Sequence, residues 1–252
     1  MSKGNIIGKT ALITGAAKRI GRAISLALAD EGANIIVHYN TSRSDADNLA
    51  LELSGHGVSA WTLQADFANP EEYKSVIRNA IDLAGTLDIL VNNASIFPRE
   101  DMSNVSFESF QNNMQVNAWA PFVLARSFAD EMKRGKIINM VDSRVTSTDW
   151  THVGYIWSKH VLHAMTEMMA LAYAPNITVN AIGPGLILPP PGYDQSYIDA
   201  LSGTVPLKRH GDPDDIAEAV VFLLRSDYIT GHMIFVDGGR HLKEYDGGSN
   251  PH

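Results

Sequence analysis

The fold is decided by one stretch of the chain, TGAAKRIG at Thr14–Gly21, which joins a predicted strand over Lys9–Thr14 to a predicted helix over Ile20–Glu31. Gly15 allows a tight turn after the strand, and Gly21 lets the helix pack closely against it. The unpaired N–H groups at the start of the helix then face the turn and can bind a pyrophosphate. The residues predicted to form this phosphate-binding turn are Gly15, Lys18, Arg19, Ile20 and Gly21.

Apolar runs of strand length alternate with helix-period segments along the rest of the chain. The further predicted strands cover Asn34–Tyr39, Val58–Ala65, Asp88–Asn93, Lys136–Val141, Thr178–Ile182 and His232–Val236. The further predicted helices cover Ser44–Ser54, Pro70–Ala84, Phe107–Lys133, His152–Ala174, Gln195–Ser202 and Pro213–Arg225. This alternation predicts an α/β fold, a doubly wound parallel sheet of about seven strands with helices on both faces. Because no linker or repeat divides the chain, we expect a single nucleotide-binding domain over residues 1–252.

Two segments depart from this pattern. Residues 184–208 contain five prolines, and a loop of this length is usually functional, so we interpret it as a substrate lid. The chain after about residue 243 carries Gly247-Gly248-Ser249 and is predicted to be a flexible tail.

Composition excludes several classes of protein. The chain has 20 Lys and Arg against 28 Asp and Glu, a net charge of −8 that disfavours nucleic acid. It has no Cys, which excludes disulfides, thiolate metal sites and a Cys nucleophile. Its longest apolar run, Met168–Ala174, is far shorter than the ~18 residues that span a bilayer. We therefore expect a cytoplasmic protein that binds a small molecule, and we expect no nucleic-acid partner, no membrane partner and no metal.

The end of the second predicted strand indicates which dinucleotide binds. NAD-binding folds usually place an acidic residue there to hold the ribose 2′-hydroxyl. The stretch His38–Arg43 has none, and hydroxyls with Arg or Lys can hold a 2′-phosphate, so we expect NADP(H). The alternative is that Arg43 is only a solvated residue that starts a helix. The residues predicted to select the cofactor are Tyr39, Asn40, Thr41, Ser42 and Arg43.

A tyrosine and a lysine stand four residues apart in the fifth predicted helix, His152–Ala174. This spacing puts Tyr155 and Lys159 on one face, where the ammonium can lie beside the hydroxyl. A nearby cation favours the phenolate, so Lys159 is predicted to lower the pKa of Tyr155 from about 10 toward the range of a general acid.

Together with Asn92-Asn93-Ala94, Asn117 and Pro184-Gly185, these motifs resemble the classical short-chain dehydrogenases/reductases over about residues 6 to 242. The resemblance implies a Rossmann-like sheet, nicotinamide hydride transfer and a homotetramer. It makes Tyr155 the proton donor, Lys159 a ligand of the nicotinamide ribose, and Asn117 the support of a proton-relay water. The further cofactor-binding residues that it implies are Asp66, Phe67, Asn93, Ala94, Lys159, Pro184 and Gly185.

Two departures from the common pattern resemble the pteridine reductase branch, which includes dihydromonapterin reductases. Asp142 stands thirteen residues before Tyr155, where most members have Ser, and Arg19 replaces the middle Gly of the turn. The branch resemblance implies that Phe97 stacks a flat pterin, and that Asp142 and Tyr155 handle the proton. The implied substrate-binding residues are Arg19, Ser95, Phe97, Asp142 and Tyr155.

We therefore expect an NADPH-dependent reductase of a pterin C=N bond. One alternative is a carbonyl reductase of the same superfamily, such as a 3-oxoacyl carrier-protein reductase, although that type normally keeps Ser and Gly at the positions of Asp142 and Arg19. A more distant alternative is a non-catalytic NADP-binding regulator, which need not keep Tyr155, Lys159 and Asn117.

Overall fold

The computed structural model describes residues 5–147, 149–190 and 192–242. Seven strands form one sheet in the order β3-β2-β1-β4-β5-β6-β7, and every neighbouring pair is parallel. They are β1 Thr10–Ile13, β2 Asn34–Tyr39, β3 Ala60–Gln64, β4 Ile89–Asn92, β5 Gly135–Met140, β6 Ile177–Pro184 and β7 Met233–Val236. Because β1 lies between β2 and β4, the strand order reverses at the centre of the sheet. Sheets of this kind bind ligands at the carboxyl ends of the strands beside that reversal.

Helices cover both faces of the sheet, which confirms the predicted α/β class. They are α1 Arg19–Asp30, α2 Arg43–Gly55, α3 Pro70–Ala84, α4 Phe107–Met114, α5 Ala120–Met132, α6 Val153–Tyr173, α7 Gln195–Ser202 and α8 Pro213–Arg225. Successive residues of β1 enter different cores. Ile13 joins the cluster that includes α1, α2 and α8, whereas Leu12 joins the cluster that includes α3 and α5. Burying each such side chain contributes ~1.5–3 kcal/mol.

The single helix predicted over Phe107–Lys133 is interrupted. A π-helical turn, Gln115–Trp119, separates α4 from α5. Pro121 has no N–H to donate to the Asn117 carbonyl four residues earlier, so a regular α-helical bond is missing at this place. Asn117 sits inside the π turn, and its side chain leaves the helix to bond the backbone of Ile96. Such π turns are common at functional sites.

Strand ends differ from the predictions by a few residues. β6 continues through Pro184, where the prediction ended it at Ile182, because Pro184 still pairs with Val236 of β7. The predicted lid therefore begins inside a strand, and its short helix is observed as α7. The predicted tail after residue 243, and Pro191 of the lid, lie outside the described residues. In the described part of the chain, no helix has the length and apolarity that crossing a bilayer requires.

Candidate active site

The turn after β1 has the shape expected of a phosphate cradle. Gly15 adopts a φ of +61°, and a Cβ at Gly21 would lie 2.3 Å from the Gly15 carbonyl oxygen. Any larger residue at position 21 would therefore push α1 away from the strand. Arg19 adopts a φ of +56°, a left-handed conformation that glycine takes without cost. The turn thus keeps the glycine geometry while carrying a cation.

Asn93 and Thr14 join this turn to the end of β4. The Thr14 hydroxyl accepts hydrogen bonds from the backbone N–H groups of Asn93 and Ala94, at 2.8 and 2.9 Å. The Asn93 amide donates in return to the carbonyls of Thr14 and Gly15, at 2.9 and 3.1 Å. The structure therefore brings Asn93 and Ala94 to the cleft, and adds Thr14 as the group that positions them.

His38 fixes the other side of the turn, a role that sequence reasoning missed. Its Nδ1 accepts the Gly15 N–H at 3.0 Å, and its Nε2 lies 3.1 Å from the Ala65 carbonyl. These partners require a neutral ring with the proton on Nε2. Burial lowers the pKa of His38 to about 4 and keeps the ring neutral. Phe67, a predicted cofactor-binding residue, stacks on this ring at 4.5 Å and is only 4% exposed, so its side chain packs in the core and leaves its backbone for the predicted contact.

The residues at the end of β2 are divided between core and solvent. Tyr39, one of the residues predicted to select the cofactor, is 7% exposed and its side chain packs in the core, which leaves its backbone for the predicted contact. Asn40 and Thr41 are exposed. Ser42 precedes α2, and Arg43 begins it.

The basic residues of this region are paired. Lys18 forms a 2.9 Å ion pair with Asp45, and Arg43 lies 3.7 Å from Asp47. Both pairs are largely exposed to solvent, so exchanging a carboxylate for a phosphate costs little. Asp66 follows β3; its backbone N–H donates to Glu72, and its carboxylate accepts the Ala68 N–H. The glycine cradle and the polar, acid-free Asn40–Ser42 segment fit a dinucleotide with a 2′-phosphate.

Tyr155 and Asp142 meet at the carboxyl end of β5. The Tyr155 hydroxyl donates to Oδ2 of Asp142 at 2.8 Å. Tyr155 stands on the first turn of α6, and Asp142 precedes a short 3₁₀ turn over Ser143–Thr146. The neighbouring Ser143 is 1% exposed, and its hydroxyl has no partner among the described residues. The Tyr155 hydroxyl thus bonds Asp142, not Ser143.

Arg144 clamps Asp142 and was not predicted. Its backbone N–H and its Nε both donate to Oδ1 of Asp142 at 2.9 Å, and a terminal nitrogen donates to Oδ2 at 2.8 Å. Its other terminal nitrogen donates to Asp149 at 2.5 Å. Burial raises the pKa of Asp142, but the Arg144 charge and hydrogen bonds outweigh it and hold that pKa below the usual value. Burial lowers the pKa of Arg144, but the carboxylates of Asp142 and Asp149 outweigh it and hold that pKa above its usual range.

Lys159 does not act on Tyr155 as the sequence predicted. Its Nζ donates to the Met140 carbonyl at 2.8 Å and lies 5.6 Å from the centre of the Tyr155 ring. Burial, and then the charge of Asp142, raises the pKa of Tyr155 well above 10. The prediction of a lowered pKa is therefore wrong here, because the hydroxyl bonds a carboxylate rather than facing the ammonium. Burial also lowers the pKa of Lys159 to about 8.

Asn117 organises the wall opposite Tyr155. Its side-chain oxygen accepts from the Ser95 hydroxyl at 3.0 Å and from the Ile96 N–H at 2.9 Å. Its amide donates to the Ile96 carbonyl and to the Ser158 hydroxyl, both at 3.1 Å. Ser95 remains exposed while it makes this bond. The structure therefore brings together Ser95 and Asn117, which the sequence assigned to separate roles.

Phe97, predicted to stack the substrate, lies beside Tyr155. Its ring meets the Tyr155 ring edge to face at 4.6 Å and stacks on His152 at 4.0 Å. The Arg144 guanidinium is 5.2 Å from the ring centre. His152 therefore covers one face of Phe97, and Arg144 and Tyr155 also contact its ring.

The predicted lid contacts the cofactor turn directly. A terminal nitrogen of Arg19 donates to the Pro189 carbonyl at 2.8 Å. Gly185, which follows β6, approaches Asp237 so closely that a Cβ would lie 2.5 Å from its Cα. Pro184 and Gly185 thus lie at the same edge of the sheet as the other predicted cofactor residues. Among the described residues, no group of three or more His, Asp or Glu side chains is placed to hold a metal ion.

Fold and site together define a dinucleotide-binding oxidoreductase with a tyrosine and a lysine at its reaction centre. A family model described as enoyl-(acyl carrier protein) reductase matches residues 15–241. The chain belongs to the short-chain dehydrogenase/reductase superfamily.

Characterised relatives point to more than one substrate. The chain is 32% identical over 244 residues to 3-oxoacyl-[acyl-carrier-protein] reductase FabG of Staphylococcus epidermidis, covering 94% of this chain and 100% of that protein. It is also 32% identical to glucose 1-dehydrogenase 2 of Bacillus subtilis, covering 94% and 96%.

Solved structures with a similar fold contain NADP or NADPH. FolM alternative dihydrofolate reductase 1 from Brucella canis, complexed with NADP, has a TM-score of 0.88 at 30% identity and covers 96% of this chain and 97% of its own. A blue fluorescent protein from a metagenomic library, in complex with NADPH, has a TM-score of 0.85 at 33% identity and covers 94% and 99%. The protein is an NADP-dependent oxidoreductase, as the sequence predicted.

Proposed function

We propose that this protein is a reductase that uses NADPH to reduce a C=N bond of a pterin or a closely similar flat N-heterocycle. The observation that carries the proposal is the 2.8 Å hydrogen bond from Tyr155 to the Asp142 carboxylate. A ketone needs a neutral donor at that position, whereas a carboxylate keeps the Tyr155 hydroxyl protonated and can exchange this one hydrogen bond for one from an N–H group of a basic heterocycle. The likeness to a structure titled alternative dihydrofolate reductase supports the same substrate class.

The proposed catalytic residues are Asp142, Tyr155, Lys159 and Asn117. Bound NADPH supplies the hydride for the substrate carbon. Tyr155 donates a proton to the substrate nitrogen, a step worth about 10²–10⁴-fold in rate. Lys159 holds the nicotinamide ribose, and Asn117 supports the water that returns a proton to the site.

Binding residues complete the proposal. Phe97 stacks the substrate ring, a contact worth ~0.5–1.5 kcal/mol beyond its buried area. Ser95 and Arg19 add polar contacts. The proposed cofactor-binding residues are Gly15, Lys18, Arg19, Ile20, Gly21, Asn40, Thr41, Ser42, Arg43, Asp66, Asn93, Ala94, Lys159, Pro184 and Gly185, with Tyr39 and Phe67 limited to their backbone.

The alternative is a carbonyl reductase, which the 32% identity to FabG favours. One assay distinguishes the two functions. The oxidation of NADPH is followed by its absorbance with each of four kinds of substrate: dihydropterins, quinonoid pterins, acetoacetyl thioesters and simple ketones. We expect turnover with pterins. Turnover of the thioesters with none of the pterins would establish the alternative, and binding of NADPH with no turnover of any substrate would favour a regulator.

Three further predictions concern the whole chain. We propose one domain over residues 1–252 with a lid at 184–208. Location in the cytoplasm stays a prediction. For the homotetramer, support comes from large apolar side chains left exposed on α4, α6 and the π turn, namely Phe107, Trp119, Trp157, Met168 and Leu171. Light scattering of the purified protein tests the assembly.

A further inference from the structure

Asp142 has little acceptor capacity left for a substrate. An ionised carboxylate offers about four lone-pair positions. Arg144 fills three of them, and the Tyr155 hydroxyl fills the fourth. The three contacts from Arg144 come from one side chain and its own backbone, so only the position held by Tyr155 can be exchanged.

Arg144 is itself held from the other side. Its second terminal nitrogen bonds Asp149, whose side chain is 1% exposed. Asp149 in turn accepts from the backbone and hydroxyl of Thr151, and His152 lies 3.4 Å away. A guanidinium anchored at both ends cannot rotate away from Asp142 without leaving two buried carboxylates unpaired, which is strongly unfavourable.

We propose that Arg144 is a positioning residue that keeps Asp142 as the ionised acceptor of the Tyr155 hydrogen bond, so that Tyr155 alone carries the proton that the substrate receives. The identity of the substrate in this inference rests on the proposed function, whereas the contacts of Arg144 and Asp142 are observed in the structure. In the step, the Tyr155 O–H bond breaks as the substrate N–H bond forms. The hydride forms the new C–H bond, and the π electrons of the C=N bond accept the proton. Solvent then reprotonates the phenolate.

The cluster also prepares the site for that phenolate. Arg144 and Lys159 each place a cation 5.6 Å from the centre of the Tyr155 ring. Arg144 and Tyr155 bond Asp142, and Lys159 of α6 is near enough to feel its charge. Asp149 contacts Arg144 instead, and His152 contacts Asp149. Of the two cations, Arg144 and Lys159, it is Arg144 that forms hydrogen bonds with Asp142.

The test removes the guanidinium without changing the net charge of the cluster. In the double variant Arg144→Gln/Asp149→Asn, one cation and one carboxylate disappear together, and Asp142 stays buried. We expect the acid limb of the kcat/KM profile to move to higher pH by about 1 to 3 units, because an adjacent Arg lowers a carboxyl pKa by about that amount. Arg144→Lys keeps the positive charge but loses the bidentate contact with Asp142. Its acid limb should lie between those of the wild type and the double variant.

Three results would overturn the proposal. If Asp142 were the proton donor, the double variant would gain activity near neutral pH, because more of Asp142 would be protonated. If Arg144 were only structural, kcat would fall with no shift of the limb. The control is Arg78→Gln, which removes an exposed guanidinium on α3. An equal shift of the acid limb of kcat/KM in this control would also overturn the proposal.

A second readout does not depend on the substrate. The side-chain carboxyl carbon of Asp142 can be followed by NMR in the protein with ¹³C-labelled aspartate, assigned with Asp142→Asn. Its titration should move to higher pH in the double variant and in Arg144→Gln, and an unmoved titration contradicts the proposal even if turnover changes. If the wild type reduces no pterin, the proposed function fails, and the acid limb is measured with the carbonyl substrate that it does reduce.

Discussion

The Tyr155 hydroxyl donates to Oδ2 of Asp142 at 2.8 Å, and the two side chains are 8% and 9% exposed. A carboxylate at this distance stabilises the protonated form of the phenol. Under the proposed function, Tyr155 therefore enters the reaction with its proton, and the Arg144 guanidinium, 5.6 Å from the centre of the ring, stabilises the phenolate that proton transfer leaves.

Tyr155→Phe removes the proton and keeps the ring. We expect kcat to fall by ~10²–10⁴-fold. The Kd for NADPH and the melting temperature should change little, because the ring contact with Phe97 remains. Steady-state kinetics and a fluorescence titration of NADPH measure the two quantities. Turnover within a few-fold of wild type would exclude Tyr155 as the acid.

Asp142→Asn and Asp142→Ser separate the two enzyme hypotheses. Both should lose most turnover of dihydropterins, because neither offers a charged acceptor. Asp142→Ser restores the common superfamily residue, so a carbonyl reductase should keep or gain activity on ketones. The comparison is kcat/KM for both substrate types, with melting curves to account for the partners that Arg144 loses. Pterin turnover retained in both variants would remove Asp142 from the mechanism.

Phe97→Ala tests stacking of the substrate. We expect KM for a dihydropterin to rise by about 2- to 10-fold, which corresponds to the ~0.5–1.5 kcal/mol of an aromatic pair. The Kd for NADPH should change by less than about two-fold, because the lost stacking contact is with the substrate. Phe97→Tyr keeps the ring and is the matched control. A loss of thermal stability without a kinetic effect would show that Phe97 serves the core.

Asn40→Asp tests the choice of cofactor at an exposed position. A carboxylate beside the 2′-phosphate should weaken NADPH binding by about ten-fold, a change of ~1.4 kcal/mol, and leave NADH nearly unaffected. Asn40→Gln controls for the lost amide. Tyr39 is less suitable, because an acid there would enter the core and lower stability. Equal weakening of both cofactors would contradict the expectation.

His38 makes stability depend on pH. The folded protein keeps the ring neutral, with a pKa of about 4, whereas the unfolded chain has the ordinary value of 6.5. Between these values the unfolded chain binds the extra proton, so the contribution of His38 is complete above pH 6.5 and is lost as the pH falls toward 4. The total is roughly 3 kcal/mol. Urea unfolding at a series of pH values should show this slope, and His38→Gln should flatten it; parallel curves would be contrary evidence.

Much of the fold could be predicted because its signals are local. Continuous apolar strands such as Asn34–Tyr39, and the glycine-bearing turn after β1, are readable from neighbouring residues. The π turn was not readable, because the pattern of Phe107–Lys133 fits one helix. Its cause is Pro121 together with the attachment of Asn117 to Ile96, a contact between segments 21 residues apart.

The sequence predicted those site residues that belong to family motifs. It missed the residues whose position depends on the geometry of a loop. Arg144 stands two residues from Asp142 and looks like a surface residue of a loop. Only the 3₁₀ turn folds its side chain back between Asp142 and Asp149. His38 left one weak signal, a histidine inside an apolar strand, whose bond to Gly15 spans 23 positions.

The central position of β1 has a consequence for biosynthesis. Ala11 pairs with Ile35 on one side and with Ile89 on the other. During translation the first third of the chain therefore leaves the ribosome with one edge of β1 unpaired, and that edge stays open until β4, Ile89–Asn92, has been made. Exposed strand edges invite association between chains. Nascent chains that stall before residue 89 should accordingly be the ones that aggregate or recruit chaperones, whereas chains that have passed β4 can close the sheet.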